Sequence, residues 1–190
     1  LLELPKARES FLEAVSIEPE YAPALRILKE IAAVEEDWEA YERHLLAQGA
    51  TTENPNAKAA LWLEAGRFYD QNKEDDDRAI VYYERALEIN PGYLDACREL
   101  AEIYFRNENW PEAGVCYRRV LDSISPEREA RDFAQKNYRL GLINDKLGHP
   151  EHSVEYYQRA VDADPHYLMA LEALSQSLIT MEEWADAKLT

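Results

Sequence analysis

Residues 77–93, DRAIVYYERALEINPGY, decide the fold. Ala79, Tyr83, Ala86 and Pro91 set a phrase of small, aromatic, small and proline at helical spacing. The phrase returns as Ala113, Tyr117 and Val120 in PEAGVCYRRVLD (111–122), shifted by 34 residues at each position. It returns again as Ser153, Tyr157, Ala160 and Pro165 in HSVEYYQRAVDADPHY (152–167), and Ala187 follows Ser153 by 34 once more. A fixed period of this length marks stacked helical hairpins, each burying its apolar face on its neighbours. No run of alternating apolar and polar residues points to a sheet. The expected class is all-α.

A second phrase precedes each of these. It reads Trp62, Ala65, Gly66 and Tyr69, then Cys97, Leu100, Ala101 and Tyr104, then Asn137, Leu140, Gly141 and Asn144, and finally Leu171, Leu174, Ser175 and Leu178. Ala7, Phe11, Ala14 and Pro19 read as the second helix of a unit whose first helix is missing. Together these residues span nearly the whole chain, and their pattern resembles the tetratricopeptide (TPR) family. The resemblance implies a right-handed superhelical solenoid of stacked antiparallel helix pairs. The expected units are 1–21 (a second helix only), 22–56, 57–92, 93–126, 127–166 and a truncated 167–190. Unit 22–56 is divergent, because its second helix lacks the expected Ala and Pro. A chain that starts and stops within a repeat reads as a piece of a longer protein.

Close packing explains these residue types. Gly66, Ala79, Gly141 and Ala160 are small where two helix axes approach, and Tyr69, Tyr83, Tyr117 and Tyr157 fill the space between hairpins. Pro19, Pro91 and Pro165 end second helices, since proline lacks the N–H that a continuing helix needs. Asn54-Pro55, Ser125-Pro126 and His149-Pro150 read as helix starts with proline at the first helical position. Trp38, Trp110 and Trp184 each follow Asp, Asn or Glu at the turn inside a hairpin. Two irregularities break the period. Pro91 and Pro165 lie 74 residues apart, six more than two periods, which places a lengthened first helix around Pro126–Phe133. The run NKEDDD adds about one residue to the turn between Gln71 and Arg78.

Composition narrows the function. The formal charge of −17 and pI near 4.6 oppose a nucleic-acid binder, which needs a basic stripe to displace counterions, and oppose an anionic membrane surface. No apolar stretch approaches the roughly 20 residues of a membrane span. The acidic run lacks the Gly and spaced oxygen ligands of a calcium loop, so it reads as a solvated turn favouring the positive start of the next helix. Cys97 and Cys116 occupy packing positions of one hairpin, where cysteine acts as a small hydrophobe. His149 and His152 sit at a helix start, where capping and solvent account for them. No metal or cofactor site is expected. No phosphate loop, nucleophile elbow, zinc-protease or dinucleotide motif is present, so the expected role is non-catalytic.

What remains is a groove. The resemblance implies that first helices line a concave face that contacts an extended or helical peptide. Carried over residue by residue, the lining candidates are Arg67, Arg98, Glu102, Phe105, Arg106, Tyr138 and Leu142, with Arg26, Glu30, Leu63, Asp70 and Asp145 beside them. Arg26/Glu30 and Arg98/Glu102 are spaced i,i+4 and read first as surface ion pairs. Arg67, Arg98 and Arg106 also read as a local positive strip able to take a peptide carboxylate, with Phe105 and Tyr138 as apolar anchors. One TPR subclass clamps chaperone tails with Lys and Asn; the matching positions here hold Leu63, Arg67, Glu99, Gln135 and Arg139, so that set is absent. Three classes stand: a protein-binding scaffold, a substrate-presenting arm of an enzyme, and an RNA-processing scaffold of the half-a-TPR type. The scaffold fits the prolines and the 34-residue shift best. The open ends predict end-to-end association of copies.

Overall fold

The computed structural model describes residues 4–18, 21–35 and 37–189. Pro19 and Thr190 lie outside the described residues, as do the side chains of Leu4, Trp38, Trp184, Ala187, Lys188 and Leu189. Two compact units divide the chain, Leu1–Ala96 and Cys97–Thr190. The first holds α1 (Leu4–Ile17), α2 (Ala22–Glu35), α3 (Trp38–Thr51), α4 (Pro55–Phe68), a π-helical turn (Tyr69–Lys73), α5 (Asp76–Ile89) and the start of α6 (Leu94–Arg106). The second continues α6 and adds α7 (Trp110–Leu121), α8 (Ala130–Lys146), α9 (Pro150–Ala163) and α10 (Leu168–Leu189). No strand occurs among the described residues.

Local chemistry sets most boundaries. Asn54 accepts from the N–H groups of Asn56 and Ala57 at 2.9 and 3.2 Å, with Pro55 opening α4. Asp37 and Asp75 accept from Ala40 and Arg78 N–H, both at 3.1 Å, and so cap α3 and α5. Each such cap stabilises its helix by about 1 kcal/mol. Two second helices, α5 and α9, end on Asx turns. The Asn90 side chain accepts from Gly92 N–H at 3.0 Å and Asp164 from His166 N–H at 3.1 Å, with Pro91 and Pro165 between. Inside the hairpins the chain reverses at Glu74, Glu108 and Gly148, whose φ values of 51°, 59° and 73° are all left-handed. Glu74 follows the π-helical turn, which absorbs the surplus residue of NKEDDD.

The period is cut into packing by small residues facing rings. A Cβ added to Gly66 would collide with the ring of Tyr83, and one added to Gly141 would collide with that of Tyr157. Both tyrosines are fully buried. Ala101 and Tyr117 occupy the same two positions in the α6–α7 pair, and both are buried. Burying a ring of this size stabilises the fold by roughly 1.5–3 kcal/mol. In the second unit α8, α9 and α10 close on three buried alanines, Ala134, Ala160 and Ala170, covered by Tyr138 and Tyr167.

The α2–α3 pair departs from this rule. The fourth residue of the second helix is Ala79 in α5, Ala113 in α7 and Ser153 in α9, all fully buried. In α3 it is Tyr41. The eighth residue, tyrosine in the other three helices, is Leu45. With a ring where a methyl or hydroxymethyl belongs, α2 and α3 approach over a shorter stretch than α4 and α5 or α8 and α9.

Two expectations are corrected. Pro126 does not open a helix. Residues 125–129 form turns in which Arg128 and Glu129 N–H groups donate to the Ser125 carbonyl at 3.2 and 2.9 Å, and α8 starts at Ala130. The surplus is therefore shared: α8 runs to 17 residues against 14 in α4, and the rest lies in the turn. The turn expected before Trp184 is also missing, because α10 continues for 22 residues. Glu182 stands one period after Gly148 yet is helical. Between Leu168 and Leu189 there is no Gly or Pro to end the helix.

Candidate functional site

In the first unit, the exposed faces of α2 and α4 and the start of α6 enclose a cleft of about 420 Å³. Its floor is Leu25, Leu63 and Ala60, the two leucines being buried. Arg26, Lys29 and Arg67 supply positive charge around it, Glu64 and Asp95 negative charge, and Tyr93 an aromatic edge. Helical spacing explains the arrangement, since Leu25 and Lys29, like Leu63 and Arg67, sit four residues apart on one face. Arg26 meets Glu30 at 3.9 Å with both side chains exposed, the expected surface pair, and it contributes only a few tenths of a kcal/mol. Lys29 Nζ reaches Gln71 Oε1 at 3.4 Å. Glu64 Oε1 accepts from the Tyr41 hydroxyl at 3.0 Å. Burial, and then the Glu64 charge, push the Tyr41 phenol far above its ordinary range, so it stays a donor and pins that carboxylate.

The other six candidates lie in the second unit. Arg98 and Arg106 are exposed on α6. Glu102, between them, is drawn to α8, with Lys136 Nζ at 3.8 Å and Arg139 Nη2 at 3.9 Å. The Arg139 guanidinium also covers the Phe105 ring, 4.3 Å from its centroid. Trp110 and Tyr117 meet Phe105 edge-on at 5.3 and 6.1 Å. Tyr138 is packed against Tyr157 and Tyr167, at 5.9 and 5.3 Å between ring centroids. Phe105, Tyr138 and Leu142 are all half-buried, so each offers part of its surface outward. Burial, then the Glu102 charge, raise the Tyr117 phenol as well.

The structure thus brings Arg67 together with Arg26 and Leu63, and links Glu102 to Phe105 through Arg139. Sequence reasoning passed over Lys29 and Lys136. Lys29 lies 34 residues before Leu63, which was a groove candidate, so the period itself held that signal. Lys136 had none, because its role depends on how α8 lies beside α6.

The remaining candidates are quiet. Cys97 and Cys116 are buried thiols that form no disulfide, and burial pushes the Cys97 thiol up. The exposed rings of His149 and His152 meet edge-to-face at 5.9 Å. No cluster of three metal-ligating side chains occurs among the described residues. No helix among them is long and apolar enough to cross a membrane.

Comparison with known proteins agrees with this architecture. Two tetratricopeptide-repeat family models match residues 74–134 and 135–167. The general transcriptional corepressor ssn6 of Schizosaccharomyces pombe is 24% identical over 205 aligned residues, covering 86% of this chain. The chain spans 18% of that corepressor's length. Among solved structures, BtubC of P. vanneervenii superposes with a TM-score of 0.66 at 14% identity, over 99% of this chain and 85% of BtubC. YrrB, described as a TPR protein with an unusual peptide-binding site, gives 0.56 at 20% identity, over 90% of this chain and 83% of YrrB. The helix pairs are those of a TPR solenoid, an interaction fold, and over residues 74–167 the chain belongs to the tetratricopeptide-repeat family.

Proposed function

We propose that the chain is a non-catalytic scaffold that holds a peptide segment of a partner protein against its first helices. The observation that carries this reading is the cleft on α2 and α4, where an apolar floor of Leu25 and Leu63 is ringed by Arg26, Lys29 and Arg67 in a protein of net charge −17. A segment with an apolar anchor flanked by carboxylates suits it, since guanidinium groups bind carboxylates through paired hydrogen bonds. Arg98 and Arg106, with the outward surfaces of Phe105, Tyr138 and Leu142, offer a second contact area in the other unit, and Glu102 orients Arg139 beside them. YrrB, which shares the fold, is described as having a peptide-binding site, which supports the class of ligand.

An array of synthetic dodecapeptides with a central leucine and flanking Asp or Glu tests this. The wild-type chain should retain a subset, more weakly as salt rises, because exposed charges are screened over about 8–10 Å at physiological ionic strength. Arg67→Glu should abolish retention while circular dichroism stays unchanged. Equal retention by the folded variant would refute the groove. The same reading includes association between copies through α10, where Leu168, Met169, Leu178 and Ile179 are all exposed.

A further inference from the structure

The departure of α3 from the repeat chemistry reaches the peptide groove. Its close-approach position carries Tyr41, where α5, α7 and α9 carry Ala79, Ala113 and Ser153. The buried Tyr41 ring walls a cleft of about 470 Å³ between α1, α2 and α3, and meets Phe68 of α4 edge-on at 5.7 Å. Its hydroxyl crosses to α4 and donates to Glu64 Oε1 at 3.0 Å. An alanine or serine at this position has no donor long enough to do so.

Glu64 lines the groove together with Arg26, Lys29 and Arg67. It stands three residues before Arg67 on α4, a spacing at which an acid and a base on a helix surface pair. A carboxylate free to turn there competes with a ligand carboxylate for the same cations. The hydroxyl prevents this, because a hydrogen bond to an ionised acceptor is strong and fixes the acceptor's direction. Arg26 and Lys29 accordingly meet Glu30 and Gln71, at 3.9 and 3.4 Å. From this geometry we infer that Tyr41 is a positioning residue for the groove. By holding Glu64, it keeps that carboxylate from competing with an acidic peptide for Lys29 and Arg67. This role rests on the groove being the peptide site.

The test is a double-mutant cycle on the whole chain, read by fluorescence anisotropy. The probe is a fluorescein-labelled dodecapeptide with a central leucine between glutamates. Tyr41→Phe keeps the ring against Phe68, removes only the hydroxyl, and should weaken probe binding about fivefold. In a Glu64→Gln background, where the competing charge is gone, the same substitution should change nothing. Glu64→Asp shortens the acid, breaks the bond from the other side, and should weaken binding likewise. Circular dichroism identifies folded variants. An equal loss from Tyr41→Phe in both backgrounds would overturn the inference, because the hydroxyl would then serve packing alone. Unchanged binding by Tyr41→Phe, or by Glu64→Asp where Tyr41→Phe does not fold, would overturn it and leave the groove standing. A wild-type chain that does not bind the probe would bring down the groove, and this role with it.

Discussion

The α8–α9 pair and the α2–α3 pair have the same length of second helix but opposite packing. In α8–α9, Gly141 lets the Tyr157 ring lie on the helix backbone, Ser153 keeps the start of α9 close, and the Tyr157 hydroxyl reaches Asp145 Oδ2 at 2.5 Å. In α2–α3, Leu45 replaces the interlocking tyrosine, and the aromatic moves four residues earlier to Tyr41. There it points away to α4, with its ring edge-on to Phe68 at 5.7 Å and its hydroxyl on Glu64. A hairpin closes tightly where glycine meets a ring. Where the ring takes the alanine position the hairpin is held by its neighbour instead, and a cleft remains.

The largest test of this difference is truncation of the two equivalent side chains. Tyr157→Ala should destabilise the chain by about 3–5 kcal/mol, and Leu45→Ala by about 2–3 kcal/mol, because the smaller side chain leaves a smaller cavity. Equal costs in urea melts would mean that the tyrosine interlock adds nothing. Next in size is Gly141→Ala. Helix propensity alone would make it stabilising by about 1 kcal/mol. The collision with the buried Tyr157 ring should reverse the sign, to a loss of about 1–3 kcal/mol. A stabilised variant would show that the ring yields.

A smaller effect belongs to the loose pair alone. Burial lowers the pKa of His44 below its ordinary 6.5, so the folded state favours the neutral ring. Stability from this group is complete above pH 6.5 and is lost as pH falls below it toward the folded-state value. Thermal melts between about pH 7 and pH 5 should show a steeper decline for wild type than for His44→Phe. Parallel profiles would remove His44 as the cause.

Much of this fold was legible because the period is chemical as well as numerical. Tyr83, Tyr117 and Tyr157 recur with Gly66, Ala101 and Gly141, so each ring names its facing small residue. Boundaries were less legible. Pro126 carries the mark of a helix start, yet the same residue opens a turn equally well, and the choice depends on where Ala134 must meet Ala160 and Ala170. The end of α10 was misread because the period implied a reversal that no residue there enforces. At the candidate site, helical spacing alone sets Arg67 on the face of α4 that carries Leu63. Arg139 over Phe105 and Tyr41 on Glu64 are contacts between helices, and no spacing along one helix encodes them.

Amide hydrogen exchange of the intact chain tests most directly the claim that the small-against-ring interlock decides which hairpin is firm. Exchange reports local opening free energies element by element. The account predicts that amides in the middle of α8 and α9 exchange slowest, and that those in the middle of α2 and α3 exchange at least tenfold faster, roughly 1.4 kcal/mol less protected. Equal protection of the two pairs, or slower exchange in α2–α3, would contradict it.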